Sequence, residues 1–396
     1  MPEEKVFYLG VDVGKYHHQA TLIDNQKVMI GQSFRFENNL ASFENLTQTI
    51  KKQLPSEAIV KVGMESTGHY YWQLKNYLLE NGFNYLQVIN PIETQELSKI
   101  RIRKVKNDRI DSLAIAQIIS QKNIQSCQEN PELNQLKNLT RFAEKLKSQK
   151  RFYQQELTVL LERICPEFFA NFSRISLPTP LAIIKGYFLE NMNSEQLIAK
   201  AIKTSRGRLK EDKAQKIIKD LNNSIDAYYR HENINLQLKM ILSSMELIKD
   251  QIEEIKTQIE KTGKDFKEIE YLSSIKGVSN YLASVILSEI GDINRFERKE
   301  QLTAFAGLDA SVKESGQYHR KQGNHISKRG SKYLRRQLYY VAKTAIMHDP
   351  ELKKYYEKKK SEGKHYNVTI IAVARKILMR CYAVLKQKRL YEVRVS

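Results

Sequence analysis

Two carboxylates three residues apart, Asp108 and Asp111, sit within Lys104 to Ala116, a stretch with helical apolar spacing at Ile110, Leu113, Ala114 and, just beyond, Ile118. Residues three apart on a helix share a face, so both acids project together from its first turn. Six basic residues, Lys99, Arg101, Arg103, Lys104, Lys106 and Arg109, crowd before and among them. That arrangement suits a phosphate meeting a metal ion, and it equally suits N-terminal helix acids paired to neighbouring cations. Two more acids stand at strand-like positions: Asp12 near the end of the apolar run Lys5 to Val13, and Glu65 directly after Ala58 to Met64. Four carboxylates are hard oxygen donors matched to Mg²⁺, or to Mn²⁺, and no clustered His or Cys accompanies them to favour zinc. Two such ions ~3.5 to 4 Å apart would activate a water or hydroxyl and stabilise the leaving oxygen in phosphodiester chemistry.

The elements that must position these acids follow in order. Lys5 to Val13 reads as a central strand; His18 to Ile23 and Lys27 to Phe36 read as strands joined through the Asp24-Asn25 turn. Leu40 to Lys52 has helical spacing, Ala58 to Met64 is a strand, and His69 to Glu80 is a helix stopped by Asn81-Gly82. A strand from Asn84 to Ile89 and a helix from Pro91 to about Leu97 complete the series. Three strands followed by alternating helices and strands is the order of a ribonuclease-H-like mixed α/β sheet. In such sheets the ligand crevice lies beyond the carboxyl ends of the strands, where Asp12 and Glu65 fall.

At 396 residues the chain is long enough for two or three domains. We place boundaries at 1–126, 127–268 and 269–396. Glu132 to Arg163 and Glu211 to Lys261 are long helical runs with apolar residues spaced by three or four, expected to form a helical arm, with a shorter helix at Ser194 to Thr204. The last third is compact, basic and helical. The net charge is +20, and its excess lies there: residues 271–396 carry 26 basic and 11 acidic side chains, against 15 and 13 in residues 1–126. Solubility in a small domain needs a magnitude of only ~2 to 8, so the excess points to a polyanion, DNA or RNA. No basic amphipathic helix with a Trp-rich face argues for lipid, and no apolar run approaches the ~18 residues of a membrane helix. Cys127, Cys165 and Cys381 match neither a zinc spacing nor a disulfide framework. The N-terminus lacks a signal-peptide pattern, so a cytoplasmic location is expected.

In the basic third, Leu272 to Leu287 resembles a helix-hairpin-helix, in which a glycine turn, here Gly277, offers backbone N–H groups to a phosphate. An ordinary packing turn fits the same residues. Asp309 to Gly330 is a polar, glycine-punctuated loop carrying Arg320, Lys321, Lys328 and Arg329, with Arg335 just beyond; these suit phosphate contact. Ser315 is a candidate nucleophile, since Gly316 lets a DNA backbone approach and nearby cations could stabilise a phosphorane. Ser327 is its rival.

The ordered motifs resemble those of the DEDD insertion-sequence transposases, a family that includes the Piv-type DNA invertases and bridge-RNA-guided serine recombinases. They are Gly-Val-Asp-Val-Gly-Lys at 10–15, Met-Glu-Ser-Thr-Gly at 64–68, Lys-Asn-Asp-Arg-Ile-Asp-Ser at 106–112, Ile-Lys-Gly-Val-Ser at 275–279, Phe-Ala-Gly-Leu-Asp at 305–309, Glu-Ser-Gly at 314–316 and Ile-Ser-Lys-Arg-Gly at 326–330. The resemblance implies a RuvC-like N-terminal domain with Asp12, Glu65, Asp108 and Asp111 holding Mg²⁺. It implies a C-terminal transposase domain whose serine, matching Ser315, forms a covalent DNA intermediate. It also implies donor and target DNA, a structured guide RNA, a dimer or tetramer pairing the acids of one subunit with the serine of another, and a bacterial or archaeal, nucleoid-associated setting. Lys276 and Ser279 depart from the family's more usual Pro and Gly in the hairpin turn. The basic residues Arg101, Arg103, Lys104 and Lys106 are expected to guide a nucleic-acid strand. Competing expectations are a RuvC-like nuclease without serine chemistry and a nucleic-acid scaffold whose acids are structural.

Overall fold

The computed structural model describes residues 5–65, 68–89, 108–122, 124, 130–224, 232–310 and 325–392. The chain divides into two units, Met1–Asn130 and Pro131–Ser396.

The first unit is a mixed five-stranded sheet. Its elements run β1 (Val6–Val13), β2 (His17–Ile23), β3 (Phe34–Glu37), α1 (Leu40–Gln53), β4 (Ile59–Glu65), α2 (Tyr71–Glu80), β5 (Tyr85–Ile89) and α3 (Asp108–Ser120). The spatial order is β3-β2-β1-β4-β5; β1 pairs antiparallel with β2 and parallel with β4, which makes it the central strand. This is the RuvC-like sheet expected from the strand order. Because β1 is covered on both faces, it reads as an unbroken apolar run rather than an alternating one. Leu9, Val11 and Val13 face Phe43 and Leu46 of α1 and Leu74 and Leu78 of α2 in one core. On the opposite face Ile115, Ile118 and Ile119 of α3 pack with Ile89. Asn39 starts α1 by accepting the Ser42 N–H at 2.9 Å.

The third strand is shorter than expected. Lys27 and Gly31 both adopt positive φ, 64° and 70°, which breaks the extended backbone; Met29 makes a single bridge to Ile23, and pairing resumes at Phe34. The expected helix at 91–97 and the basic residues Arg101, Arg103, Lys104 and Lys106 lie outside the described residues.

The second unit is helical. Helices α4 (Pro131–Ile164) and α9 (Glu232–Gly263) run antiparallel: Leu136 to Leu146 share a core with Ile248 to Ile259, and Leu157 to Ile164 share another with Leu238 and Met245. At 34 residues, α4 is about 51 Å long at 1.5 Å per residue. One end of this arm carries α5 (Pro166–Phe169), α6 (Pro178–Ile184), a single π turn at Lys185–Leu189, α7 (Ser194–Thr204) and α8 (Glu211–Asn222). The run expected to be continuous from Glu211 to Lys261 is two helices, because Asn222, Asn223 and Ser224 end the first. Such side chains compete for backbone hydrogen bonds and favour termini. The other end carries α10 (Lys267–Ser273), α11 (Asn280–Ile290), a 3₁₀ turn at Ile293–Arg295, α12 (Lys299–Phe305), α13 (Lys332–His348), α14 (Pro350–Ser361) and α15 (Tyr366–Gln387). Its core runs without a break from the base of the arm into the basic region, joining Leu136 and Ile255 to Leu272, Leu338 and Ile377. Among the described residues no helix is long and apolar enough to cross a membrane.

Candidate active site

The strand register places the first two acids. Gly10 of β1 lies opposite Gly63 of β4 and Thr21 of β2, and the β1–β4 ladder runs to Val11 opposite Met64. Asp12 and Glu65 follow one step on, at the C-terminal ends of adjacent parallel strands. Alternation puts Asp12 on the face of Gly10 and Glu65 on the face of Gly63. Both are half-buried.

Helix α3 covers that same face, and the two glycines are what let it come down. A Cβ on Gly10 would lie 2.1 Å from the Ser112 carbonyl oxygen and 2.3 Å from the Ala116 nitrogen. A Cβ on Gly63 would lie 2.5 Å from Cγ2 of Ile119. No side chain fits between helix backbone and β1. A buried hydroxyl pair, Thr21 Oγ1 and Ser112 Oγ at 2.7 Å, fixes the crossing, while Ser112 also donates to the Arg109 carbonyl at 3.1 Å. Asp111 directly precedes Ser112, and Asp108 opens the helix one turn earlier. All four acids thus belong to one face: Asp12 and Glu65 at its strand ends, Asp108 and Asp111 in the first turn of the helix lying on it. Asp111 is half-buried and Asp108 exposed. Among the described residues no three His, Cys, Asp or Glu close into a group fit for a metal ion. The donor set itself, four carboxylates at the carboxyl edge of a parallel pair, is of the oxygen type that Mg²⁺ takes.

The other face of the same strand ends is held by a histidine. The Gly14 N–H donates to His18 Nδ1 at 3.3 Å, which leaves the ring proton on Nε2. His18 is buried beside Phe36 and Phe43. Burial pulls its pKa below the ordinary 6.5, so it stays neutral and keeps the turn after Asp12 in place.

In the second unit the candidate nucleophile Ser315, with Arg320 and Lys321, lies outside the described residues, but both flanks of its loop are described. They are clasped to one another. Ala310 bridges to Ile326, the Ser327 N–H donates to the Asp309 carbonyl at 2.9 Å, and the Ser327 hydroxyl donates to the Asp309 carboxylate. The Lys328 N–H donates to the Gly307 carbonyl at 3.2 Å and the Ser331 N–H to the Phe305 carbonyl at 2.7 Å. Ser327, the rival nucleophile, therefore spends its hydroxyl proton on the clasp. Lys328 and Arg329 are exposed beside it. Arg335 is half-buried and donates to the Ala306 carbonyl at 3.2 Å; burial lowers its pKa, and it serves as a tie for the Gly307 turn. Gly277 has φ 92°, and a Cβ there would lie 3.0 Å from the Ala345 backbone, so its turn packs on α13. Ser279 caps α11, accepting the Leu282 N–H at 3.3 Å.

Sequence reasoning missed a strip of buried charge beneath this clasp. Glu289 is 1% exposed; Arg141 grips it with Nε at 2.7 Å and Nη2 at 3.2 Å, and the Ser331 hydroxyl donates to it at 2.8 Å. One turn along α4, buried Glu144 accepts from Lys147 at 2.9 Å, Gln337 at 3.0 Å and Arg336 at 3.2 Å. Burial pushes both carboxyls up, but these donors outweigh it and hold both below the usual value. The signal available was Glu289 itself, a lone acid in the otherwise apolar and hydroxyl-bearing run Leu282 to Ile290, which a buried helix tolerates only with a partner.

Two family models match the chain. The DEDD transposase model of the IS110 group, described as Transposase, matches residues 9–166, and a model described as Transposase IS116/IS110/IS902 family matches residues 269–357. Together they take in more than half of the chain. The first includes all four acids and the second includes the clasped loop. Among similar proteins, an uncharacterized 44.8 kDa protein of insertion element IS116 from Streptomyces clavuligerus is 24% identical, over 97% of this chain and 96% of its own length. A pilin gene-inverting protein of Moraxella lacunata is 23% identical, over 98% of each chain. A transposase for insertion sequence element IS1111A of Coxiella burnetii is 30% identical, over 40% of this chain and 43% of its own.

Proposed function

The chain belongs to the IS116/IS110/IS902 family of transposases, and from that premise we propose that it cuts and rejoins DNA strands of an insertion sequence with Ser315 as nucleophile. Asp12, Glu65, Asp108 and Asp111 would hold Mg²⁺, or Mn²⁺ in its place, and a bound ion would supply positive charge to the phosphate oxygens. The observation that carries this assignment is the contact of α3 with Gly10 and Gly63, which gives two strand acids and two helix acids a common face.

In the first step the Ser315 Oγ–phosphorus bond forms and the bond from phosphorus to one sugar oxygen breaks. The serine proton ends on that departing oxygen. A sugar hydroxyl of the exchanged strand then attacks the phosphoserine, restores the phosphodiester and returns the proton to serine. No bond energy is lost to water, so cutting and rejoining balance. Arg320, Lys321, Lys328 and Arg329 supply cations around the phosphate. Donor and target DNA are the substrates. A structured guide RNA is a second polyanion for Arg101, Arg103, Lys104 and Lys106, and acids and serine meet between subunits of a dimer or tetramer. The concentration of positive charge in the last third supports nucleic acid as the partner.

The test is a covalent trap. Incubated with element-end DNA and Mg²⁺, the protein should yield a protein–DNA adduct that is absent in Ser315→Ala and in the presence of chelator. Recombination by Ser315→Ala would sink the serine role, and strand cleavage without adduct would favour a water-using nuclease. Sequencing copurified nucleic acid tests the guide: a defined RNA with segments complementary to DNA is expected, and protein free of RNA yet fully active would remove it.

A further inference from the structure

Helices α4 and α13 enclose a groove of about 870 Å³ whose lining includes Ile326 at the edge of the clasped loop. Its lining sets cations and tyrosines beside Ser148, Gln149 and the apolar Ile326 and Ile371. On α13, Lys332, Arg336 and Tyr340 recur every four residues and are all exposed, so they form a stripe with one member per turn, about 6 Å apart along the axis. On α4, Lys145 is exposed toward the same groove. The acid in the lining, Glu144, is buried and answered by Lys147, Arg336 and Gln337, so Arg336 is spent on it while Lys145 and Lys332 keep their charge toward the groove. The Tyr333 ring is occupied by Arg141 at 4.8 Å and Lys332 at 5.2 Å and serves as a fixed wall. Tyr340, by contrast, is 48% exposed, a large aromatic surface at the end of a cationic stripe.

From these features we infer that the groove binds an unpaired stretch of nucleic acid, with Lys332 and Lys145 on its phosphates and a base stacked on Tyr340. Cations that track a backbone beside an aromatic platform are the chemistry of single-strand binding. A concave site of this volume lies in the range of small-ligand pockets, ~300 to 1,000 Å³, and admits a strand where a duplex would lie across the rim. The site deepens the recombinase proposal, on which it rests for the identity of the strand: one freed beside the serine loop.

The experiment measures anisotropy of a labelled single-stranded oligonucleotide and of its duplex with the full-length Asp12→Asn protein, without divalent ions, so that cleavage does not enter. Tyr340→Ala should weaken single-strand binding about tenfold and duplex binding less than twofold, and Tyr340→Phe should restore it. Lys145→Gln with Lys332→Gln should lower the log–log salt slope for the single strand by about 1.4, at roughly 0.7 per phosphate contact. Unchanged single-strand affinity in both variants, or equal loss for strand and duplex, would overturn the groove. Neither result bears on the adduct trap, which fails or succeeds on Ser315 independently.

Discussion

The two units of this chain treat their acids in opposite ways. In the second, Glu144 and Glu289 are buried and held by arginine, lysine and hydroxyl donors, so their charge is spent on structure. In the first, Asp12, Glu65 and Asp111 are half-buried and Asp108 exposed, gathered on one face by a helix that two glycines admit. A carboxylate sunk in a core and gripped by arginine locks helices together. One standing at a strand end, on the face that also carries the helix acids, sits where several carboxylates could meet a single cation. Under the proposed function, the contrast separates acids that fold the protein from acids that would hold a metal ion.

The sharpest way to break that contrast is to neutralise one acid of each kind. Asp12→Asn should abolish strand cleavage, a loss of at least ~10³-fold if the ion supplies the several kcal/mol typical of metal catalysis, and leave the unfolding midpoint nearly unchanged. Arg141→Leu should do the reverse, destabilising the second unit by roughly 3 kcal/mol, the low end for breaking a pair with a buried acid because Arg141 itself is 42% exposed and Ser331 still serves Glu289. Denaturant unfolding with strand-cleavage assays reads both; a large stability loss in Asp12→Asn would make that acid structural.

Next in size is the helix seat. Gly10→Ala drives a Cβ into the α3 backbone and should cost about 1 to 3 kcal/mol by overpacking, with cleavage falling alongside as Asp108 and Asp111 are displaced. Wild-type cleavage in that variant would show that the helix acids need no seating.

The smallest effect is on pH, and it also divides the units. His18 has a pKa below its ordinary 6.5 in the folded state, so its contribution is complete above about pH 6.5 and is lost as pH falls below it. Glu144 and Glu289 have pKa values below the ordinary 4.5, so their contribution holds above that value and disappears only at lower pH. Unfolding of the first unit should therefore become easier as pH falls below about 6.5, while the second holds until below about 4.5. His18→Gln should flatten the first window, as followed by hydrogen exchange resolved by segment. A first unit insensitive over that range would remove His18 as its clip.

Much of this was legible in the residues because local and tertiary preferences agreed. The apolar run of β1, the Asn81-Gly82 stop and the three-residue spacing of Asp108 and Asp111 each named their element. The glycines at 10 and 63 were visible too, but their purpose depends on a helix arriving from more than fifty residues away along the chain. Lys27 to Phe36 misled because alternation alone does not register the positive φ that Lys27 and Gly31 adopt. The grip of Arg141 on Glu289 joins residues 148 positions apart, a pairing no local pattern encodes. Gly277 was found as a turn, whereas its packing on Ala345 follows from α13 alone.

Mn²⁺ binding followed by electron paramagnetic resonance tests the division of acids most directly. Wild-type protein with DNA should bind Mn²⁺, Asp12→Asn and Asp111→Asn should each lose that binding at least tenfold, and Glu144→Gln should retain it. Undiminished Mn²⁺ binding in Asp12→Asn and Asp111→Asn would contradict the assignment of these acids to a metal site.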